Sequence, residues 1–166
     1  MSKMNPVTRR GSIAILAVLS ACAALPHAAA ANDQDSNHQR RISIAVPEFS
    51  DSPPSGEVNA REMTEIIISD LKASGRLALL DPHELVEDNI DVAPHFDKWR
   101  SIDAQSLVTG RIVRKPDQRV MVEFRLWDVA SGQQLVGAQY VLQPDDWRRV
   151  PHAIAEAILE RLIGRS

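Results

Sequence analysis

The chain of 166 residues is poor in several residue types, and each shortage excludes a class of protein. A single cysteine excludes an internal disulfide framework and a zinc site built from cysteines at the usual spacing. No apolar run reaches the roughly 20 residues that a membrane-spanning helix needs. Basic residues are not in excess, because the net charge is −3, whereas nucleic-acid binding requires a basic face.

The rest of the composition is that of an ordinary globular chain. Hydrophobic residues make up 44% and charged residues 25% of the sequence, which excludes wholesale disorder and a collagen-like fibre. At roughly 100–200 residues per domain, the length allows one domain and hardly a second.

The first 31 residues form a segment of their own, with three basic residues and no acidic one. An apolar run from Ile13 to Leu25 follows the basic start, and a short alanine stretch follows the run. This order is typical of a secretory signal peptide, so we expect residues 1–31 to be removed by cleavage near Ala30 or Ala31. Loss of the three basic residues changes the net charge to −6 and leaves a protein that we expect to be soluble in the periplasm.

The position of Cys22 offers an alternative to this processing. The sequence Leu19-Ser20-Ala21-Cys22 also fits the bacterial lipoprotein box, in which the cysteine becomes the acylated first residue. The protein would then be anchored to a membrane through Cys22. If cleavage follows the alanine stretch instead, no cysteine remains and the exported domain has no thiol chemistry.

After the signal segment, the chain divides into a polar leader, residues 32–41, and one domain, residues 42–166. The leader lacks large apolar residues, so we expect it to be disordered. In the domain, apolar residues alternate in some segments and recur every three or four positions in others. This pattern predicts strands at 42–46, 77–80, 107–113, 120–127 and 135–142, helices at 57–74 and from about 145–151 to Gly164, and short helical turns around Pro94. We therefore predict a mixed α/β fold, a two-layer sandwich in which two main helices cover one face of a mixed sheet of about five strands.

Three side chains are the candidates for catalysis, and their positions favour structural roles. Asp70 lies beside the apolar face of a predicted helix, Asp128 precedes a hairpin turn, and His152 lies in the first turns of the last helix. An aspartate before a turn usually bonds to the backbone. The five histidines show no paired i, i+4 spacing for a metal, and no glycine-rich phosphate loop occurs. We expect no enzyme, no cofactor and no metal site.

Clusters that combine tryptophan and arginine are the candidate partner contacts, because these residue types are enriched at interface hot spots. Together with the two arginines at the end of the leader, the candidates are Arg40, Arg41, Trp99, Arg100, Trp147, Arg148 and Arg149. The alternative is that each tryptophan anchors the start of a helix to the core, while its arginine is solvated or stacks on the ring.

Several pieces of the sequence resemble, in order, the amino-terminal domain of the TolB family of the Tol-Pal system. The matching pieces are Ile44-Ala45-Val46-Pro47-Glu48-Phe49, Ile68-Ser69-Asp70-Leu71 with Ser74-Gly75, Phe96 with Trp99-Arg100, Leu107-Val108 with Gly110, the run from Val122 to Val129, and Trp147-Arg148-Arg149 with His152, Ile154-Ala155, Leu162 and Gly164. The resemblance extends from Ile42 to Gly164. It implies a fold similar to an anticodon-binding domain and a non-enzymatic protein-interaction role in the periplasm.

The resemblance also implies partners. Members of the family bridge TolA and the lipoprotein Pal, support cell-envelope integrity and cell division, and serve protein import, including colicin uptake. Pal binding belongs to a β-propeller, and the chain after Gly164 has no room for one, so we expect no Pal binding. TolA binding remains open, because the leader lacks the apolar alternation of a strand that adds to a partner's sheet. The alternatives are an exported domain that binds a small ligand or lipid on the open sheet face, and a truncated, non-functional TolB copy.

Overall fold

The computed structural model describes residues 41–51, 58–82, 85–87 and 89–164. The predicted signal peptide, Cys22 and the leader up to Arg40 lie outside these residues. Within the described parts of the chain, no helix is both long enough and apolar enough to cross a membrane.

The described chain contains six strands and three α-helices. They are β1 (Ile42–Ala45), β2 (Ser50–Asp51), α1 (Ala60–Ala73), β3 (Leu77–Leu80), α2 (Phe96–Arg100), β4 (Ser106–Arg114), β5 (Val120–Asp128), β6 (Gln134–Leu142) and α3 (Arg149–Ile163), with a 3-10 turn at Pro144–Asp146 before α3. The predicted order of elements is confirmed, and β2 is an addition to it.

The strands form one mixed sheet in the order β3-β1-β4-β5-β6. Strand β1 runs parallel to both β3 and β4, whereas β4, β5 and β6 form an antiparallel meander. Strand β2 pairs with β4 in parallel, farther along the same strand than β1 does. The predicted mixed α/β sandwich is therefore confirmed.

The side chain of Asn59 caps the start of helix α1. The Asn59 side chain accepts a hydrogen bond from the backbone N–H of Glu62 at 3.1 Å, which satisfies one of the free donors of the first turn. This cap explains why the helix begins at Ala60 and not at the predicted Glu57. Met63 and Ile67 lie four residues apart and are fully buried, as the predicted apolar face requires.

The main core lies between the sheet and the helices α1 and α3. Alternate residues of β5, from Val120 to Leu126, point into it, as do Ile154 and Ile158 of α3. Because side chains of a strand alternate between faces, the residues between them point to the opposite face. The two main helices therefore cover one face of the sheet, as predicted.

A smaller core lies on the opposite face, at one end of the sheet. Trp99 of α2 packs there with Leu107 and Trp127 and is fully buried. The indole N–H of Trp99 donates to Glu87 Oε1 at 2.8 Å, and that of Trp127 donates to the hydroxyl of Thr109 at 3.1 Å. Helix α2 thus adds a short local layer to the two-layer sandwich.

Candidate interaction surface

The predicted contact residues that the structure describes lie in two separate places. Arg41 and Arg100 line one groove at an end of the sheet, although 58 residues separate them in the sequence. Arg148 and Arg149 lie at the start of α3 and are exposed. Arg40 lies outside the described residues.

The groove has a volume of about 890 Å³ and is formed by residues of β1, β3, β6 and the segment between α2 and β4. Its polar and charged lining consists of Arg41, Ser43, Arg100, Asp103, Gln105 and Asp128, with Ser106 beside them. Apolar residues such as Leu80 and Leu135 complete the walls. The groove therefore combines charges of both signs with an apolar surface.

Hydrogen bonds to Ser43 hold the segment before β4 against β1. The Ser43 hydroxyl donates to the carbonyl oxygen of Asp103 at 2.7 Å, and the backbone N–H of Ser43 donates to Gln105 Oε1 at 3.1 Å. Asp103 has a φ of 59°, in the left-handed region that few non-glycine residues adopt. These bonds fix the tight turn that forms one wall of the groove.

The charged side chains of the groove differ in their hydrogen-bond partners. Arg100 donates to Asp97 Oδ1 at 2.6 Å and to the carbonyl oxygen of Ala130 at 3.4 Å, and its side chain is 47% exposed. Asp128 accepts hydrogen bonds at 2.7 Å from both the hydroxyl and the backbone N–H of Ser131. These bonds lower the pKa of the Asp128 carboxyl, and the hydroxyl of Ser131 has the largest effect. The expected turn role of Asp128 is confirmed.

The two candidate tryptophans are buried, in agreement with the alternative in which each ring packs into the core. Trp99 is 0% and Trp147 is 4% exposed. The guanidinium of Arg148 lies 4.8 Å from the centre of the Trp147 ring, and its Nη2 is 3.2 Å from Glu62 Oε1 of α1. Trp147 thus anchors the start of α3 and Trp99 anchors the short helix α2 to the core, while arginines supply the exposed surface.

Asp70 and His152 lie in contact, which the sequence analysis did not predict. Oδ2 of Asp70 in α1 is 2.5 Å from Nδ1 of His152 in α3. A carboxylate that orients an imidazole is one part of an acid–base site. The contact bridges α1 and α3.

The open face of the sheet carries a network of charges. The guanidinium of Arg111 bonds to Glu123 Oε2 at 2.8 and 3.1 Å and to Asp91 Oδ2 at 2.7 Å, while Arg125 reaches Glu123 Oε1 at 3.1 Å. The hydrogen bond that Arg111 donates to Asp91 contributes most to raising the pKa of the Arg111 guanidinium. Because paired charges occupy this face, its described residues do not form the largely apolar pocket typical of small-ligand sites.

Within residues 41–51, 58–82, 85–87 and 89–164, no three histidine, cysteine or acidic side chains come together as metal ligands.

Comparisons with known proteins agree with the fold. The model of the TolB amino-terminal domain family matches residues 35–135. The structure is similar to TolB from Acinetobacter baumannii at 22% identity, with a TM-score of 0.61, and the match covers 75% of this chain and 29% of that protein. A looser similarity relates it to the PelC dodecamer from Paraburkholderia phytofirmans (19% identity, TM-score 0.48, 76% of this chain and 91% of that chain). The structure is similar to the same degree to the LpoB C-terminal domain from Escherichia coli, at 15% identity with a TM-score of 0.47. That match covers 61% of this chain and 82% of that chain.

Proposed function

The chain belongs to the family of TolB amino-terminal domains, and on this premise we propose that it is a non-enzymatic protein-interaction domain of the cell envelope. The signal-like segment at residues 1–31 supports a place in the periplasm. The resemblance to the family supports a Tol-Pal role in envelope integrity, division and protein import. TolA is the partner that we propose.

The observation that carries this proposal is the groove that brings Arg41 and Arg100 together. A groove with apolar walls and two guanidinium groups suits an extended protein segment, because guanidinium groups pair with carboxylates and backbone carbonyls. Arg41 directly precedes β1, so the groove reaches the point in the chain where the leader ends.

The test measures binding of the periplasmic part of TolA by calorimetry or by pull-down from envelope extract. In the double variant Arg41→Glu/Arg100→Glu, we expect the affinity to fall about tenfold or more, since two attractive contacts become repulsive. Arg119→Glu is the matched control, because Arg119 lies in the turn at the far end of the β4–β5 hairpin. We expect this control to bind as the unchanged protein does.

Two outcomes would contradict the proposal. If the unchanged protein binds neither TolA nor another Tol-Pal component, the proposed role is wrong. If Arg119→Glu weakens binding as much as the double variant does, the groove is not the contact surface.

A further inference from the structure

Strand β6 is a long edge of the sheet. It comprises nine residues, Gln134–Leu142, and in the described part of the chain it pairs with β5 on one side only. The strand at the opposite edge, β3, has four residues. The free side of an edge strand presents backbone N–H and C=O groups that can pair with another strand.

The beginning of this edge is closed. The pairing with β5 is irregular there, because Leu126 pairs with Val136 and Trp127 pairs with Gln134, which leaves Leu135 out of the register. The side chain of Arg161 in α3 donates from Nε to the carbonyl oxygen of Leu135 at 3.3 Å. Bulges and charged side chains of this kind are known devices that blunt an edge.

The remainder of the edge, Val136–Leu142, carries none of these devices. It has no charged residue, no proline and no irregular pairing with β5. Val141, in this segment, is 44% exposed. An open edge of this kind is expected to be covered in the working protein.

We propose that a second copy of the chain covers this edge, with the two β6 strands antiparallel and centred on Gln139. This register places Ala138 opposite Tyr140 of the copy and Gly137 opposite Val141, so that each small side chain meets a large one. Gln139 meets its own copy, and the two amides can exchange hydrogen bonds. Cross-strand pairs of this kind are the units that stabilise a sheet.

The two faces of the joined sheet are consistent with this register. Val136, Ala138, Tyr140 and Leu142 pack against the main core, on the side of α1 and α3. Residues opposite each other in an antiparallel pair lie on the same face, so these four side chains would extend that core across the interface. No pair places like charges opposite each other, because Val136–Leu142 is uncharged. The inference does not rest on the proposed function, which uses Arg41 and Arg100.

The first experiment measures the mass of the protein in solution by sedimentation equilibrium, after purification from cells that express the full chain. We expect twice the mass of the processed chain at high protein concentration. Gln139→Lys places two lysines opposite each other, and we expect its mass to fall to that of one chain. Gln133→Lys adds the same charge outside the proposed pair, and we expect it to remain dimeric.

The second experiment tests the register by disulfide formation in a Cys22→Ser background, which removes the only cysteine. Two copies of Gln139→Cys lie directly opposite each other, at a Cα distance of about 5 Å, and we expect rapid cross-linking on oxidation. Two copies of Val141→Cys are displaced by four residues, about 13 Å along the strand, so we expect no cross-link.

Three outcomes would overturn the inference. If the protein has the mass of one chain at every concentration, no second copy covers this edge, and it is covered by a different partner or by none. A dimer that Gln139→Lys does not disturb uses another surface. Cross-linking of Val141→Cys as fast as Gln139→Cys means that contact between the copies has no fixed register.

Discussion

At Gly110, the absence of a side chain makes room for an aromatic ring. A Cβ atom at this position would lie 2.2 Å from Cε2 of Phe49, which is closer than any real contact. Phe49 is 2% exposed and lies between the two segments, β1 and β2, that pair with the same side of β4. The glycine therefore allows the chain to pass from β1 to β2 without leaving the edge of β4.

We predict that Gly110→Ala lowers the free energy of unfolding by about 1–3 kcal/mol, the usual cost of overpacking a filled core. Urea denaturation monitored by tryptophan fluorescence measures the change. Phe49→Leu in the Gly110→Ala background is the control, because the smaller side chain leaves room for the added methyl group, and we expect it to cost less there than in the unchanged protein. Equal costs of Phe49→Leu in the two backgrounds would show that Phe49 does not set the requirement at Gly110.

The hydrogen bonds to Asp128 make stability depend on pH. The lowered pKa of Asp128 arises first from the hydroxyl of Ser131. A carboxyl whose pKa is lower in the folded state contributes stability above its ordinary pKa, and the contribution is lost as the pH falls through the folded pKa.

Ser131→Ala should therefore raise the pKa of Asp128 towards its ordinary value and destabilise the protein at neutral pH. The difference from the unchanged protein should disappear in acid, once Asp128 is protonated in both proteins. Carbon-detected NMR titration of the Asp128 carboxyl gives the pKa directly. An unchanged pKa in the variant would mean that the backbone N–H of Ser131 is sufficient.

At the scale of whole elements, helix α1 owes its start to one side chain. We predict that Asn59→Ala costs about 1 kcal/mol of unfolding free energy, because the backbone N–H of Glu62 loses its acceptor. Asn59→Ser retains a capping oxygen and should cost a few tenths of a kcal/mol. Chemical denaturation compares the variants. If alanine and serine are equivalent, the cap does not determine where the helix begins.

Periodicity was enough to predict most elements but not the shortest one. Alternation from Val120 to Trp127 predicts β5 because half of its side chains enter the core, and the strand is observed at Val120–Asp128. Strand β2 has two residues, Ser50–Asp51, which is too short for any periodic signal. It exists because β4 offers a free edge beside it, and that edge is set by residues some 60 positions away.

The sequence was enough to predict which residue types form the candidate surface, but not how they are arranged in space. Arg41 and Arg100 could be identified as candidate partner contacts, but their shared groove results from the pairing of β1 with β4 and the placement of α2. The contact between Asp70 and His152 likewise joins positions 82 residues apart. Such arrangements depend on tertiary packing, which a local pattern does not encode. The burial of the tryptophans follows from the same packing.

For the whole molecule, the position of each strand in the sheet determines how long its amides resist hydrogen exchange. Strand β4 has neighbours along both edges, β1 and β2 on one side and β5 on the other. The main core covers one of its faces, and the smaller core around Trp99 covers part of the other. Opening β4 therefore requires most of the fold to open, whereas β3 is a four-residue edge.

We predict that amides in the middle of β4, around Val108 and Ile112, exchange last and with a free energy close to that of global unfolding. Amides of β3 and α2 should exchange first, through local opening. Hydrogen exchange monitored by NMR gives the opening free energy of each of these amides. These values are compared with the unfolding free energy from urea denaturation. If β3 persists as long as β4 does, the sheet opens as one cooperative unit, and position within the sheet does not rank its stability.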